Sequence, residues 1–510
     1  MSKFKAVSSL KTTMCGWTQR VLAVVCGFTL ATSGNVTILY GLCLVPTIAA
    51  VGAAVDMGQA VVVRKRLSQA IDAAGLAIGA TPGLTAEEIQ ERAQLFFSAN
   101  YPATALGDTL SLIATQSGNI VTLTASASVD TAFLGILGIE KVDVSSVAEI
   151  VRETRGLEVA MALDNTGSMA DDGKIGALKT AMTDLITILF GDSANPEKLK
   201  MGIVPFSETV RLNTTSAINN GWIDTDGTAP WAQLNFDNGK HALSVWASMN
   251  QSSWSGCVEA RAEGHEELDT PPSASNPATR WVPFFNPEEP DNPPYSGYSR
   301  NWTSDGVTGD QNTRLRNSNK YVGKKNTRPN TDCSMQPILA LTNSKSTLLN
   351  YVNQMQTTGF THIAIGAAWG WRVLSPTEPF TEGSAYGDEE WQKALVLMTD
   401  GVNTIPTKNT WHKSDYTAYG YLQQGRLGTT NASTAVTEQN SRVGLVCTRM
   451  KDLNIRIYTI LFMEDNAATY TMMRDCATSP ELFFDTPSTE DLQTTFQVIA
   501  NDLSNLRVAK

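Results

Sequence analysis

Between Leu157 and Met169 the chain reads Leu-Glu-Val-Ala-Met-Ala-Leu-Asp-Asn-Thr-Gly-Ser-Met. A short, nearly unbroken apolar run reads as a strand covered on both faces, because a strand with one wet face would alternate apolar and polar residues. The run stops abruptly at Asp164, and hydroxyls follow at every second position, Thr166 and Ser168. After Asp171-Asp172-Gly173-Lys174 an amphipathic stretch to Phe190 reads as a helix. A doubly covered strand feeding a helix commits the chain to layered α/β architecture. It also sets three oxygen-bearing side chains on one loop, the ligand chemistry that hard divalent cations require. Asp and Ser after a strand also cap helices, so the loop alone admits a purely structural reading.

The same alternation continues downstream. Strands are expected at 157–163, 200–206, 337–341, 394–399 and 455–462, and helices at 173–190, 344–356, 361–370, 436–452 and 489–503. That pattern predicts a mostly parallel sheet with helices on both faces. Ligands of such sheets sit beyond the carboxyl ends of the strands. Two distant residues join Asp164 there. Leu395–Met398 is a second apolar run, ending in Thr399-Asp400-Gly401, and Thr361 opens a helical run after Gly359-Phe360. Two carboxylates and three hydroxyls leave a divalent cation incompletely neutralised. Such an ion attracts a further carboxylate from outside, which is a binding device; hydrolysis would need a placed base or nucleophile.

These five positions resemble the metal-ion-dependent adhesion site (MIDAS) of von Willebrand factor A domains, Asp-x-Ser-x-Ser followed by a distant Thr and a distant Asp. Thr166 replaces the first Ser and keeps the hydroxyl. The resemblance implies a Rossmann-like α/β fold with Asp164, Thr166, Ser168, Thr361 and Asp400 around Mg²⁺ (or Mn²⁺ or Ca²⁺). Asp171 and Asp172 match the spacing of an adjacent second metal site in some integrin A-like domains. The preferred reading of that pair is acidic residues favoured by the helix dipole, with the second metal site as the alternative.

The N-terminal region carries a different constraint. No charge occurs from Val21 to Val55, and the stretch 36–55 is long enough for about 30 Å of helix, one bilayer core. Pro46 within it is tolerable in a membrane helix. The reading is a single uncleaved anchor; the alternative is a signal peptide with Val21–Ala31 as its apolar part and cleavage after Ser33. Basic residues flank both sides, so charge leaves the orientation open. Seven cysteines divide into Cys15, Cys26 and Cys43 near the start and Cys257, Cys333, Cys447 and Cys476 far downstream. The second set favours an oxidising compartment for the large domain. Four cysteines allow three pairings; Cys257–Cys333 and Cys447–Cys476 are expected, the first closing an insertion.

Gly34-Asn35-Val36, the apolar run, Val55-Asp56-Met57-Gly58 and Arg66-Leu67-Ser68-Gln69-Ala70-Ile71-Asp72-Ala73-Ala74 resemble the anchor of TadG-like proteins of tight-adherence (Tad) Flp-pilus assembly systems. Gly366-Ala367-Ala368-Trp369-Gly370-Trp371, and Ile455–Ile460 followed by Asp475-Cys476-Ala477, resemble the A-domains of the same proteins.

The expected organisation is a cytoplasmic segment 1–35, a transmembrane helix 36–55, a helical stalk 56–80, a small α+β module 81–155 and an A-domain 156–506 interrupted by an insertion 213–333. In the module, Thr85 and Glu88 predict a capping box for a helix to about Ala99. Strands follow at 110–115, 120–129 and 142–150, the first two joined by a Ser117-Gly118-Asn119 hairpin turn. The insertion holds Trp222, Trp231, Trp246, Trp254, Trp281 and Trp302. These rings are expected to form a small core of their own, the alternative being a partner surface.

Other chemistries find less support. A net charge of −11 excludes a general nucleic-acid binder. The haloacid-dehalogenase-like motif needs an Asp where Thr166 stands. His265-Glu266 lacks the second His of a zinc protease, and there is no Gly-x-Ser-x-Gly elbow or P-loop. His362, beside Thr361, could serve as a base but reads as a residue that packs or caps the helix start. The chain is therefore expected to be a non-enzymatic protein of the bacterial inner membrane with its large domain extracytoplasmic. It would bind a protein partner, a pilus-assembly component or pilin, through a metal-bridged carboxylate. The alternatives are a surface adhesin outside the pilus machinery and a metal-dependent hydrolase.

Overall fold

The computed structural model describes residues 35–79, 84–102, 107–117, 120–151, 155–250, 253–291 and 302–506. Residues 1–34, which hold the candidate cleavage site after Ser33, lie outside these, as do the turn residues 81–83 and 118–119. The chain divides into two compact units, 1–153 and 154–510.

The N-terminal unit is built on one long helix, α1 (Asn35–Gly79), which runs through Pro46 without interruption. Its apolar stretch is long enough to cross a membrane, and the side chains of Leu39, Leu42, Val45, Ile48 and Val51 are exposed. From Gly52 onward one face is buried at Gly52, Asp56, Ala60, Val63, Leu67, Ala70, Ala74 and Ile78. These steps of three and four are a helix covering one partner surface. The partner is a three-stranded antiparallel sheet of β1 (Asp108–Ser117), β2 (Ile120–Asp130) and β3 (Lys141–Val151), with β2 central. Val121, Leu123, Ala125, Ala127 and Val129 point inward from β2 at every second position. A second helix, α2 (Ala86–Asn100), covers the rest of that face through Ile89, Ala93 and Phe97. Its first turn is closed by the reciprocal bonds of a capping box. The Glu88 N–H donates to Thr85 Oγ1 at 3.2 Å, and the Thr85 N–H donates to Glu88 Oε2 at 2.8 Å. The stretch 56–80, read from sequence as a stalk, thus supplies six of the fifteen buried hydrophobic residues of this core.

The C-terminal unit is a six-stranded sheet. In chain order its strands are β4 (Gly156–Asp164), β5 (Leu199–Phe206), β6 (Leu339–Thr342), β7 (Trp391–Thr399), β8 (Arg456–Phe462) and β9 (Phe483–Thr486); across the sheet the order is β9-β8-β7-β4-β5-β6. All neighbours are parallel except the edge strand β6, which runs antiparallel to β5. The order reverses between β4 and β7, which makes the crevice beyond their carboxyl ends the binding position of a doubly wound sheet. This is a von Willebrand A-type, Rossmann-like fold.

Alternate residues of β4 serve opposite faces. Val159, Met161 and Leu163 pack under α3 (Lys174–Phe190), α4 (Lys345–Asn353) and α8 (Thr489–Leu506). Ala160 and Ala162 face α5 (Ile363–Leu374), α6 (Ala432–Asp452) and α7 (Ala467–Cys476). Small residues bring α5 hard against the sheet: a Cβ on Gly366 would lie 2.3 Å from the Phe206 ring, and one on Gly370 would lie 2.4 Å from Leu395.

Every residue of α5 is buried, because the insertion lies over its outer side. The Trp281 and Trp369 rings sit 4.6 Å apart, and Trp222 meets Phe380 at 5.7 Å. The guanidiniums of Arg261 and Arg372 lie over the Trp281 ring. Trp222, Trp246, Trp254 and Trp281 share one continuous core with β4, β5 and α5. The expectation of a separate tryptophan core is corrected in part: Trp222 and Trp281 pack on Phe380 and Trp369 outside the insertion, whereas Trp246 and Trp302 meet the insertion's own Phe285 and Tyr321. Disulfides join Cys257 to Cys333 and Cys447 to Cys476. Because Trp281 links the insertion to α5, Trp281→Ala is expected to cost about 3–5 kcal/mol of the whole unit's stability. Denaturant unfolding followed by far-UV and near-UV signals checks this; an insertion that melts first, leaving the sheet's transition unmoved, contradicts the shared core.

Candidate metal centre

At the switch point the two strand ends deliver their carboxylates side by side. Leu163 pairs with Met398 in the β4–β7 register, so the next residues, Asp164 and Thr399-Asp400, emerge together. Thr399 Oγ1 donates to Asp164 Oδ2 at 2.6 Å. On the other oxygen, Asp164 Oδ1 accepts the Thr166 N–H at 2.8 Å and Thr166 Oγ1 at 2.6 Å. Ser168 Oγ lies 3.1 Å from Thr166 Oγ1 and donates to Asp400 Oδ1 at 2.9 Å. Thr166 Oγ1 is 3.5 Å from the same Asp400 oxygen. Asp164, Thr166 and Asp400 are buried, whereas Ser168 is half-buried and Gly167 exposed, so the cluster opens outward at the loop.

Three loops hold this arrangement. Asn165 donates its N–H to the Phe206 carbonyl (2.8 Å) and its side-chain amide to the Gln356 carbonyl (2.8 Å), and its own carbonyl accepts the Thr358 N–H (2.7 Å). The Gly167 N–H donates to the Gly359 carbonyl at 3.1 Å, and Gly359 sits at φ +68°, a conformation glycine adopts freely. Thr361 is buried beside the Asp400–Gly401 turn: a Cβ on Gly401 would lie 3.4 Å from Thr361 Oγ1. Its carbonyl accepts the Thr404 N–H at 2.9 Å. Of the five residues expected from sequence, four are therefore linked directly through side-chain oxygens, and Thr361 lies next to them without a hydroxyl bond to that group. Asp171 and Asp172 are exposed on the following turn, and among the described residues neither has a hydrogen bond or ion pair to the cluster.

The sequence reading did not single out Lys174. Asp172 (φ +51°) and Gly173 (φ +73°) are successive left-handed residues that kink the chain before α3. Lys174, the first residue of the helix, places Nζ 2.9 Å from Asp400 Oδ2. Asp400 thus has a cationic partner. Asp164 has none among the described residues, only hydroxyls and one N–H. Burial, and then the negative charge of Asp400, push the Asp164 carboxyl up to about 7. Glu158, at the entry end of the same strand, shows the contrast. It is equally buried, yet it pairs with Lys393 (2.5 Å) and Lys200 (3.1 Å) and accepts the Ser384 N–H.

The donor set suits a hard divalent cation, being all oxygen with one buried carboxylate short of positive charge. Among the described residues no three His, Cys, Asp or Glu side chains converge in a metal-ligating cluster, so hydroxyls must complete any shell here. His362 is neutral: burial drives its imidazole down to about 4, and the ring Nε2 sits 3.1 Å from the Thr404 carbonyl.

A carboxyl raised in the folded state stabilises the metal-free unit while protonated. An unfolded Asp releases its proton near about 3.9, so this contribution is complete below that pH and is lost as pH rises to about 7. A bound cation needs the deprotonated form. Mg²⁺ is therefore expected to raise the melting temperature more at pH 8 than at pH 5, and Asp164→Asn to abolish the difference. Equal Mg²⁺ shifts at both pH values contradict this.

Comparison with curated proteins finds no match. Among solved structures, the vWF domain of the type V pili tip protein Mfa5 from Porphyromonas gingivalis is similar at 10% identity and a TM-score of 0.34, over 70% of this chain and 97% of that one. The pilus adhesin SpaC from Lactobacillus rhamnosus GG is similar at 10% identity and a TM-score of 0.31, over 77% of this chain and 34% of SpaC, so the chain spans about a third of that protein. Proximal thread matrix protein 1 from the mussel byssus, in a form with a zinc-occupied MIDAS motif, is similar at 12% identity and a TM-score of 0.29, over 70% and 47%. The N-terminal segment, residues 34–81, matches the family described as "Putative Flp pilus-assembly TadE/G-like".

Proposed function

We propose that this chain is a membrane-anchored, non-enzymatic component of a Tad/Flp pilus system. In this reading its A-type unit binds a protein partner by sharing a divalent cation with a partner carboxylate. Asp164, Thr166, Ser168, Thr361 and Asp400 would hold the ion, with Mg²⁺ the first choice and Mn²⁺ or Ca²⁺ able to serve. The observation that carries the proposal is the uncompensated Asp164 carboxylate, buried at the switch point and chained through two hydroxyls to Asp400. Once deprotonated, a carboxylate so placed needs a cation, and hydroxyl ligands would orient the ion without quenching its charge. The family match of residues 34–81 supports the pilus context. Two disulfides in the large unit support an extracytoplasmic location, with α1 as the single anchor in the inner membrane. Pilins and pilus-assembly proteins are the partner class.

Metal binding to the folded state alone stabilises it by RT ln(1 + [M]/Kd), about 2.7 kcal/mol at a hundredfold excess over Kd. Asp164→Ala is expected to remove that gain while leaving the fold intact, and Thr166→Ser to keep it. In cells, crosslinks from the A-type unit to pilus components are expected to vanish with EDTA and in Asp164→Ala. Crosslinks that persist in both would overturn the metal-bridged reading.

A further inference from the structure

The loop between β2 and β3 is an apolar projection fixed to the end of the membrane helix. Thr131–Ile139 reads Thr-Ala-Phe-Leu-Gly-Ile-Leu-Gly-Ile and carries no charge. Four of its side chains stand in the open: Phe133 (39% exposed), Ile136 (73%), Leu137 (57%) and Ile139 (47%). Such a cluster on a soluble surface is a liability unless something covers it.

The loop is held in place. Residues Leu134–Leu137 form a short 3₁₀ turn, whose leading N–H groups are bound by a carboxylate from α1. Asp56 Oδ1 accepts the Ala132 N–H at 3.0 Å, and Oδ2 accepts those of Phe133 (2.9 Å) and Leu134 (2.7 Å). Its base is closed by the Thr131 N–H to the Glu140 carbonyl at 3.0 Å and by a Lys141–Asp130 ion pair at 3.4 Å. One turn before Asp56, Phe133 presses on Gly52 so closely that a Cβ there would lie 2.3 Å from the Phe133 Cβ.

These contacts fix the loop's height along the helix. Among the residues of α1 whose burial is described, Gly52 is the first buried one; upstream Leu39, Leu42, Val45, Ile48 and Val51 are exposed. At 1.5 Å per residue, Gly52 lies roughly 4–5 Å inside the end of the uncharged span at Val55. An apolar loop clamped at the level of the last turn of an apolar span meets the same medium as that turn. The charged residues Asp130, Glu140 and Lys141 sit at its base, where the polar side of an interface would lie.

We infer that Phe133–Ile139 dips into the headgroup–acyl boundary of the bilayer, as a second membrane contact beside α1. Two contacts would fix the unit's tilt and rotation on the membrane, which one helix alone leaves free. The inference stands apart from the metal reading: it rests on the N-terminal unit only.

The test uses the full chain reconstituted into phosphatidylethanolamine/phosphatidylglycerol vesicles containing a phospholipid with a diazirine in its acyl chain. After irradiation, lipid adducts are mapped by mass spectrometry. Adducts are expected within 36–55 and also within 133–139, and not within 111–115, where Ile113 is comparably exposed on the sheet. Ile136→Asp with Leu137→Asp should lower labelling of Phe133 and Ile139 at least tenfold and leave α1 labelling unchanged. Adducts confined to 36–55, equal labelling of 111–115, or a loop that crosslinks only to a second copy of the chain would each overturn the proposal.

Discussion

A carboxylate buried at the end of a strand must be neutralised by a proton, by a protein cation or by a metal ion, because burying a bare charge is too costly. The C-terminal unit shows these solutions on two adjacent strands. Glu158 has two lysines. Asp400 has Lys174. Asp164 has neither, and in the metal-free state retains a proton to about pH 7. The geometry around the crevice follows from keeping this pair together: a parallel register that ends both strands at one level, a hydroxyl at each second position of the loop, and the lacing of three loops by Asn165. Lys174 is a built-in counter-ion whose position a metal-loaded site would contest, since both cations would draw on Asp400.

The crevice needs a stiff frame, and α5 supplies much of it. A helix apolar but for Arg372 is stable only when covered on every side. One face rests on β4, β5 and β7 through Gly366 and Gly370; the other is roofed by the tryptophan-bearing insertion. The N-terminus of α5 is fixed by Asn403 Oδ1, which accepts the Ile363 N–H at 2.8 Å. Thr361 therefore enters the site from a segment anchored at both ends. The insertion contributes to the site indirectly, by immobilising the helix that presents Thr361.

Much of this was legible in the sequence because it is local. An apolar run ending in Asp-x-Thr-x-Ser carries its strand, its loop and its oxygen chemistry within a dozen residues, and Asp400 repeats the same strand-end signal. The strand–helix alternation gave the parallel sheet to within a few residues per element. Other features are invisible locally. The β9 strand is four residues long, and α7 has ten residues with only Thr469, Met473 and Cys476 buried. Lys174 looks like any helix-start lysine until the Asp172-Gly173 kink turns it toward Asp400. Thr399 becomes a partner of Asp164 only through sheet register. The tryptophans were placed in a core of their own because the ring that Trp281 packs on, Trp369 of α5, lies some ninety residues away in sequence. Half of the buried stripe on residues 52–78 is Gly and Ala, and the exposed face carries Val61, Val62 and Leu76, so the amphipathic contrast is low.

The central claim is that the oxygens of Asp164, Thr166, Ser168 and Asp400, with Thr361 beside them, bind one divalent cation. Anomalous X-ray scattering from Mn²⁺-loaded crystals of the full chain at neutral pH tests it most directly. The account predicts a single anomalous peak in direct contact with Ser168 Oγ and Thr166 Oγ1, with the Lys174 ammonium withdrawn from Asp400. An intact Lys174–Asp400 pair with no peak at the switch point under saturating Mn²⁺ would contradict it.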